Sequence, residues 1–298
     1  MKLATFHGDG NGLRIGCVEG GWIVDLAMAA GAFGLEFPFR DMAELLAHPE
    51  GIRLARQAAD RARDREGPWR LALASVRLAA PVPRPGKIVG VATNYRDFCE
   101  RANLPLPDRL KLFTKVSTTV CGPMDPVFVP DGRKVTYEGE LGVVIGRKGK
   151  RIQEEEALEF VAGYLVVNDF TANDWVREDV QLMRGKNLDT FCPMGPWLVT
   201  RDEIPDPGRL SLVTKLNGRI VQQSDTSNLV FGVPNIIHQL SAFMTLEPGD
   251  VIATGTPAGT ALQHEPPAFV RHGDLVEVTV EGIGTLQNPI LRAVEDVR

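Results

Sequence analysis

Two acidic residues open a strand-like run in the segment Thr136-Tyr137-Glu138-Gly139-Glu140-Leu141-Gly142-Val143-Val144-Ile145-Gly146. Side chains alternate between the two faces of a β-strand, so Glu138 and Glu140 point the same way. Carboxylates this close repel each other, and a fold rarely turns them toward its interior without a cation between them. The alternative keeps both on the solvated face of an edge strand. Their spacing alone leaves the two interpretations open.

A second buried strand ends in a third acidic residue. The largely apolar run Val161 to Val167 leads directly into Asn168 and Asp169. Three carboxylates near strand ends, with no His or Cys beside them, are hard oxygen donors suited to Mg²⁺, Mn²⁺ or Ca²⁺. The pattern therefore indicates a candidate site for a divalent cation.

The composition is that of an ordinary globular protein and excludes several classes of partner. The chain has 298 residues, of which 44% are hydrophobic and 24% charged, with a formal net charge of −5. An acidic balance without a Lys/Arg run gives no electrostatic footprint for nucleic acid or an anionic membrane. No apolar segment approaches the ~20 residues that a membrane span needs. We therefore expect neither nucleic acid nor a membrane as a partner.

The N-terminus and the cysteines both favour a cytoplasmic location. Residues 1–8 lack the apolar core of a signal peptide and are typical of a first strand. The cysteines are scattered without a CxxC pair, which is typical of reduced thiols rather than a disulfide framework or a zinc site. The four are Cys17, Cys99, Cys121 and Cys192.

Local patterns divide the chain into a small N-terminal region and a larger one. The patterns within residues 1–75 predict a small α+β accessory domain. A β-hairpin comes first and helices follow it, one of them capped by Asp41. Residues 76–87 are rich in proline and predict an extended linker. Residues 88–298 predict a metal-binding catalytic domain.

Short strands with Pro/Gly turns dominate the larger region, and a few helices interrupt them. Strands with irregular connections favour a mixed α+β fold over a doubly wound sheet. The predicted helices cover residues 94–103, 154–160, 174–183 and 234–243.

A series of short motifs runs in order from Pro81 onward. They are Lys87-Ile88-Val89, Asn94-Tyr95, Tyr137-Glu138-Gly139-Glu140-Leu141, Val144-Ile145-Gly146, Val161-Ala162-Gly163-Tyr164, Asn168-Asp169, Gly185-Lys186, Asp189-Thr190-Phe191, Met194-Gly195-Pro196-Trp197, Pro248-Gly249-Asp250 and Thr254-Gly255-Thr256-Pro257. In this order they resemble the fumarylacetoacetate hydrolase family. The resemblance implies a β-rich roll of the α+β class, a homodimer, and a small N-terminal domain like that of bacterial members.

The resemblance also implies a metal and a substrate class. Glu138, Glu140 and Asp169 match the family's ligands for Mg²⁺ or Mn²⁺, one ion per subunit, which favours the buried interpretation of the two glutamates. Family substrates are 2-oxo acids or 1,3-dicarbonyl acids, small carboxylic acids whose oxygens chelate such an ion. The ion then acts as a Lewis acid that stabilises an enolate.

Three further residues match functional positions of the family. Lys186 matches the lysine of a Gly-Lys-x-x-Asp segment, whose ammonium neutralises enolate charge, or supplies a proton if desolvation lowers its pKa. The alternative is a surface lysine whose ammonium extends to solvent. Thr256 matches a threonine that holds the substrate carboxylate with its hydroxyl and the loop amides, and the alternative is a threonine that stabilises the turn. Lys115 matches a basic position of less definite role.

The chain departs from the family at substrate-facing positions. Hydrolytic members carry a His and a Glu three residues apart on a short lid helix, a pair that activates the attacking water. The matching residues here are Phe98, which exchanges no proton, and Arg101, which stays protonated. The family's Arg and Gln, four and seven residues after the metal-binding Asp, are Asn173 and Val176.

Two hypotheses explain the role of Arg101 on the lid helix. It lies at i+3 from Phe98, on the same helix face, and could replace the positive charge that Asn173 removes from the pocket. Alternatively, Arg101 is a solvated lid residue that pairs with Asp97.

Three functions follow from these residues. C–C bond hydrolysis of an acylpyruvate-like acid is the leading prediction because most of the family motif is present. The first alternative is an isomerase, tautomerase or decarboxylase of a 2-oxo acid, since those reactions need an enolate and a proton donor but no attacking water. The second is a non-catalytic homologue that binds a metal and an acid.

Overall fold

The protein is described by a computed structural model that covers residues 1–8 and 12–293. The described part of the N-terminal region contains five strands and three α-helices. They are β1 (Lys2–His7), β2 (Leu13–Glu19), β3 (Trp22–Asp25), α1 (Leu26–Ala32), α2 (Met42–Ala47), α3 (Gly51–Ala62), β4 (Arg70–Ala72) and β5 (Leu78–Ala79). Asp41 caps α2 as predicted, because its carboxylate accepts the Glu44 N–H at 2.9 Å.

The larger region is mostly strands, as the α+β prediction requires. Its strands are β6 (Ile88–Ala92), β7 (Lys111–Lys115), β8 (Val120–Cys121), β9 (Val127–Val129), β10 (Val135–Thr136), β11 (Gly139–Ile145), β12 (Val161–Asn168), β13 (Thr171–Ala172), β14 (Cys192–Thr200), β15 (Ser211–Leu216), β16 (Arg219–Asp225), β17 (Val251–Ala253), β18 (Leu275–Val280) and β19 (Gly284–Arg292). Its α-helices are α4 (Arg96–Arg101), α5 (Asn173–Glu178), α6 (Met183–Lys186) and α7 (Val233–Phe243).

Two sheets form the centre of the fold. A 12-stranded sheet runs in the order β4-β3-β2-β1-β14-β12-β11-β17-β6-β7, with β5 beside β1 and β8 beside β14. A 5-stranded sheet runs in the order β16-β15-β18-β19-β9, and β10 pairs with β13. Val143 and Val166 of the first sheet share one buried cluster with Leu212 and Val278 of the second. The sheets therefore pack face to face, and β11 and β12 are buried along their whole length.

The N-terminal region continues the large sheet. Leu3 of β1 pairs with Leu198 of β14 in antiparallel register, and both belong to one apolar cluster with Val167. The predicted linker is packed, since Val82 is buried and the Pro81 carbonyl accepts the Thr5 hydroxyl. The boundaries at residues 75 and 87 stay a prediction.

Most predicted helices are present, with two differences. Residues 154–160 form a 3₁₀ helix. The prediction of a single helix over residues 174–183 is wrong, because the helix is interrupted between α5 and α6. Arg184 folds back to contact the carboxylates of Glu178 and Asp179 at 2.8 Å each, which a continuous helix would not allow. Within the described residues, no helix is long and apolar enough to cross a bilayer.

Candidate metal centre

Three acidic residues converge where two neighbouring strands meet. Glu138 immediately precedes β11, Glu140 is its second residue, and Asp169 immediately follows β12. The two strands are antiparallel with Gly139 opposite Asn168, so the end of β12 lies beside the start of β11. The Asp169 N–H donates to the Glu138 carbonyl at 2.8 Å. One carboxylate oxygen from each acid lies within 4.8 Å of the others, and we call this group the carboxylate triad.

Backbone and side-chain donors hold the triad in place. Thr171 Oγ1 donates to Glu138 Oε1 at 3.1 Å. Gly255 N–H donates to Glu140 Oε2 at 2.8 Å. Glu140 is 1% exposed, so the alternative that placed both glutamates on a solvated strand face is wrong.

Gly139 separates the two glutamates because no larger residue fits there. A Cβ at this position would lie 2.3 Å from Thr214 Oγ1 and 2.9 Å from Val278 Cγ1. Both contacts belong to the second sheet, which therefore packs directly beneath the two ligand positions. The Glu-Gly-Glu pattern thus places two carboxylates on one face and a close sheet contact on the other.

Two buried lysines contact the triad. Lys186 Nζ donates to Glu138 Oε2 at 2.8 Å and also to Asp169 Oδ2. Lys115 Nζ donates to Asp169 Oδ1 at 2.6 Å and to the Lys186 carbonyl. The Lys115 side chain is fully buried, so it belongs to the centre itself and supports Lys186 through that carbonyl. Its predicted contact with substrate stays a prediction.

Burial and neighbouring charge set the protonation of these groups. Burial raises the pKa of Glu140 well above its usual range, and repulsion from Asp169 and Glu138 adds to the effect. Burial also raises the pKa of Glu138, more than the Lys186 ammonium lowers it. Burial opposes ionisation of Asp169, but Lys115 and Lys186 outweigh it and hold its pKa below the usual value.

Lys186 is held as an ammonium in this arrangement. Burial alone would lower its pKa, but Asp169 and Glu138 outweigh burial and raise the pKa above its ordinary value. Its Nζ also lies 4.6 Å from the centre of the Phe113 ring. The group is therefore a fixed positive charge at the edge of the triad, and the lowered pKa on which the predicted proton supply depended is not found.

The donor set fits a hard divalent cation. Both lysines contact Asp169, whereas Glu140 accepts the Gly255 amide and forms no ion pair within residues 1–8 and 12–293. A buried carboxylate without a cationic partner is costly, and a bound cation would remove that cost. Three carboxylates without His or Cys in the group suit Mg²⁺ or Mn²⁺.

The predicted substrate loop lies against β11. Thr256 Oγ1 donates a hydrogen bond to the Gly139 carbonyl at 3.0 Å and accepts one from Gln222 Nε2 at 2.8 Å. The only hydroxyl proton of Thr256 is therefore used within the protein, and its role toward substrate stays a prediction. Sequence reasoning missed Gln222, because its strand lies far away in the chain and has no motif that points to the site.

Helix α4 contacts the same loop. Arg101 Nη2 donates to the Gln263 carbonyl at 2.7 Å. Asp97 accepts hydrogen bonds from the Ser224 hydroxyl and the Ala258 amide, so the predicted Asp97–Arg101 pair does not form.

Asn173 lies at the start of α5 rather than within the triad. Its side-chain amide donates to the Lys134 carbonyl at 3.3 Å and to the Thr171 carbonyl at 3.4 Å. Thr171 in turn contacts Glu138, so Asn173 is two hydrogen bonds away from the triad. Substrate contacts of Asn173 and Arg101 stay predictions.

Comparison with known proteins identifies the family. The family model described as "Fumarylacetoacetate (FAA) hydrolase C-terminal" matches residues 87–291. The chain belongs to the fumarylacetoacetate hydrolase family. The family assignment and the α+β fold predicted from the sequence are thereby confirmed.

Several relatives of this fumarylacetoacetate hydrolase family chain are tautomerases. It is 39% identical over 298 residues to oxaloacetate tautomerase fahd2, mitochondrial, of Xenopus laevis, covering 98% of this chain and 90% of that protein. It is 44% identical over 246 residues to oxaloacetate tautomerase YisK of Bacillus subtilis, covering 79% and 81%. A crystal structure of maleylpyruvate hydrolase from Sphingobium with manganese(II) and pyruvate is 33% identical, with a TM-score of 0.80 and coverage of 99% and 100%. The family thus includes both reaction types.

Gly185 fixes the position of Lys186, and we expect its replacement by alanine to lower activity. A Cβ at Gly185 would lie 2.8 Å from the Ala172 carbonyl oxygen and 3.0 Å from Val176 N, so α6 must shift away from α5. If Lys186 is catalytic as predicted, a displacement of about 1 Å should cost ~100-fold in rate. Steady-state kinetics of Gly185→Ala should therefore show a lower kcat.

Gly31→Ala is the matched control, because a Cβ there meets nothing within 4 Å. That helical variant should keep the wild-type kcat. A Gly185→Ala enzyme with wild-type kcat would mean that α6 can move without consequence for Lys186.

Proposed function

We propose that this protein catalyses the interconversion of the enol and keto forms of a small 2-oxo acid of the oxaloacetate type. The observation that carries the proposal is an asymmetry in the site. The ammonium of Lys186, the predicted proton donor, contacts the carboxylate triad, whereas α4 carries Phe98 and Arg101 at the positions that match the family's water-activating pair. Tautomerisation requires a proton donor but no water-activating pair.

The triad would hold one Mg²⁺ or Mn²⁺ per subunit. When bound, the ion supplies a Lewis acid that polarises the substrate carbonyl and stabilises negative charge on its oxygen. Support comes from the buried carboxylate of Glu140, which has an amide donor but no ion pair among the described residues. Further support comes from the relative crystallised with manganese(II) and pyruvate, a 2-oxo acid.

Lys186 would move the proton. In the enol-to-keto direction, its ammonium gives a proton to the substrate carbon next to the carbonyl. The resulting amine takes up the proton that leaves the enol oxygen, so protons balance and no carbon bond breaks. Glu138 and Asp169 keep Nζ in place through their hydrogen bonds. Lys115 limits movement of α6 by its contact with the Lys186 carbonyl.

The residues near α4 give less support to C–C hydrolysis, the leading prediction from the motifs. Hydrolysis needs a base that activates water. Phe98 has no ionisable group, and the guanidinium of Arg101 stays protonated. The Asp97 carboxylate is already engaged by Ser224 and Ala258. Cys99 is fully buried. None of these four is a free base, and Glu100, the remaining acid of α4, is exposed and lies at a helix position different from that of the family's histidine.

A direct assay separates the possible reactions. We expect freshly dissolved enol oxaloacetate to lose its ultraviolet enol band faster with enzyme and Mg²⁺ or Mn²⁺ than with metal alone. NMR of the products should show the keto acid with all carbons intact. Release of CO₂ would indicate a decarboxylase instead. Two shorter acids from acylpyruvates would indicate a hydrolase, and no reaction with any of these acids would favour a non-catalytic binding protein.

A further inference from the structure

A buried glutamine connects the metal-binding strand to the substrate loop. Gln222 lies on β16 of the second sheet and is 1% exposed. Its Nε2 donates to Thr256 Oγ1 at 2.8 Å and to the Pro257 carbonyl at 3.0 Å. Its Oε1 accepts the Gly139 N–H at 3.0 Å. Both amide protons and the amide oxygen are therefore used, and all three partners lie at the site.

These contacts form a closed ring of hydrogen bonds. Gln222 donates to Thr256, Thr256 donates to the Gly139 carbonyl, and the Gly139 N–H donates back to Gln222. Gly139 is the residue between the two triad glutamates, and Thr256 is the predicted substrate-loop residue. The ring thus fixes the distance between the triad and the loop.

The glutamates have other supports that do not involve Gln222. The Glu138 carboxylate accepts from the Thr171 hydroxyl, and its main-chain carbonyl accepts from the Asp169 N–H. Glu140 is held by the amide of Gly255, and this first part of the loop is tied to β11 separately, because the hydroxyl and the N–H of Thr254 both donate to the Leu141 carbonyl. By contrast, Thr256 Oγ1 has Gln222 as its donor. Loss of Gln222 should therefore disturb the loop more than the ligand set.

We propose that Gln222 is a positioning residue: it fixes Thr256 through its hydroxyl and Pro257 through its carbonyl, and so orients the backbone of residues 256–260 for binding a 2-oxo acid carboxylate beside the triad. This inference rests on the proposed function, since that function supplies the acid. It makes substrate affinity, rather than metal affinity or folding, the property that Gln222 controls.

The test compares Gln222→Leu with a buried amide whose hydrogen bonds involve neither the triad nor the loop of residues 254–260. Asn288 is 1% exposed, and its Nδ2 donates to the Gly122 and Asp125 carbonyls at 2.9 Å each, so Asn288→Leu removes a similar set of hydrogen bonds. With Mn²⁺ present, we expect the Kd of oxalate, a mimic of the enolate, to rise about tenfold or more in Gln222→Leu. The Kd of Mn²⁺ should stay within roughly twofold. Asn288→Leu should leave both constants at the wild-type value.

Hydrogen exchange supplies a readout that does not depend on any substrate. Deuterium uptake by peptides covering residues 254–260 should increase in Gln222→Leu and stay unchanged in Asn288→Leu. Gln222→Glu keeps the side-chain size and an acceptor for Gly139 but replaces the donor to Thr256, and it should give the same result if the leucine variant folds poorly.

The outcomes of the two proposals are separable. Wild-type protein that binds no oxalate and tautomerises no acid would defeat the proposed function, while loop exchange would still decide the role of Gln222. Equal changes in the Gln222 and Asn288 variants, or unchanged exchange of the loop, would overturn the positioning role even in an active enzyme.

A double-mutant cycle tests whether Gln222 acts through Thr256. Thr256→Val removes the hydroxyl and keeps the side-chain shape. If the ring is the cause, the oxalate Kd of the double variant should resemble that of the weaker-binding single variant. Independent, multiplicative effects would contradict transmission through Thr256.

Discussion

Replacing Glu140 with glutamine is expected to abolish Mg²⁺ and Mn²⁺ binding and to lower kcat/KM of the proposed tautomerase about a thousandfold, or ~4 kcal/mol. Glu140 is the triad member with no ion pair among the described residues, so its charge is the one most available to a cation. Glutamine keeps the size and the acceptor for Gly255 but removes that charge. Calorimetry with Mn²⁺ should show no binding.

Thermal unfolding should separate this effect from a loss of structure. Burial and two neighbouring acids raise the pKa of Glu140, so ionising it opposes folding in the metal-free protein. Glu140→Gln should therefore keep or raise the Tm without metal and lose the rise in Tm that Mn²⁺ gives the wild type. Glu277→Gln is the control, because Glu277 is a partly buried glutamate on β18 that accepts a hydrogen bond from Gln287 at 2.7 Å. Wild-type Mn²⁺ affinity in Glu140→Gln would exclude the triad as the metal site.

The ligand positions were predictable from the sequence because they follow from local geometry. A period of two places Glu138 and Glu140 on one face, and an apolar run leads directly to Asp169. The register of β11 against β12 then brings the third carboxylate to the first two. The local pattern thus predicted the three metal-binding carboxylates, and the ordered motifs predicted the fold.

The partners of these ligands were not predictable by the same means. Lys115 comes from β7 and reaches Asp169 across 54 positions of sequence, and Gln222 reaches Gly139 across 83. Such contacts depend on how the sheets and the loops pack, which no periodicity reports. The break between α5 and α6 has a similar origin, because Arg184 joins carboxylates at the end of α5 rather than continuing a helix.

The continuity of the large sheet was also hidden from local patterns. A proline-rich segment indicated a linker, yet β1 pairs with β14 and Val82 is buried. Pairing between distant strands depends on both of their apolar faces, and the pattern of one strand does not identify its partner. The sequence therefore predicted the individual strands and helices better than it predicted which strands pair with each other.

Replacing Lys186 with methionine is expected to move three measurements in different directions. The tautomerase kcat should fall about a thousandfold, because a positioned proton donor contributes 10²–10⁴-fold. The affinity for Mn²⁺ should rise about tenfold, or ~1.4 kcal/mol, because an ammonium that now contacts Glu138 and Asp169 no longer competes. The free energy of unfolding without metal should fall by ~3 kcal/mol, because buried carboxylates lose a partner.

Lys148→Met is the control for Lys186→Met, since Lys148 is an exposed lysine whose ion pair with Glu247 lies on the surface. An exposed pair contributes little, so all three measurements should stay near wild type. The opposite signs are the informative part, because general damage to the fold would weaken metal binding together with activity. Tighter Mn²⁺ binding with lost turnover assigns Lys186 to the chemistry and the triad to the metal. Weaker Mn²⁺ binding in Lys186→Met would instead make the lysine part of the metal site, and retained turnover would require another proton donor.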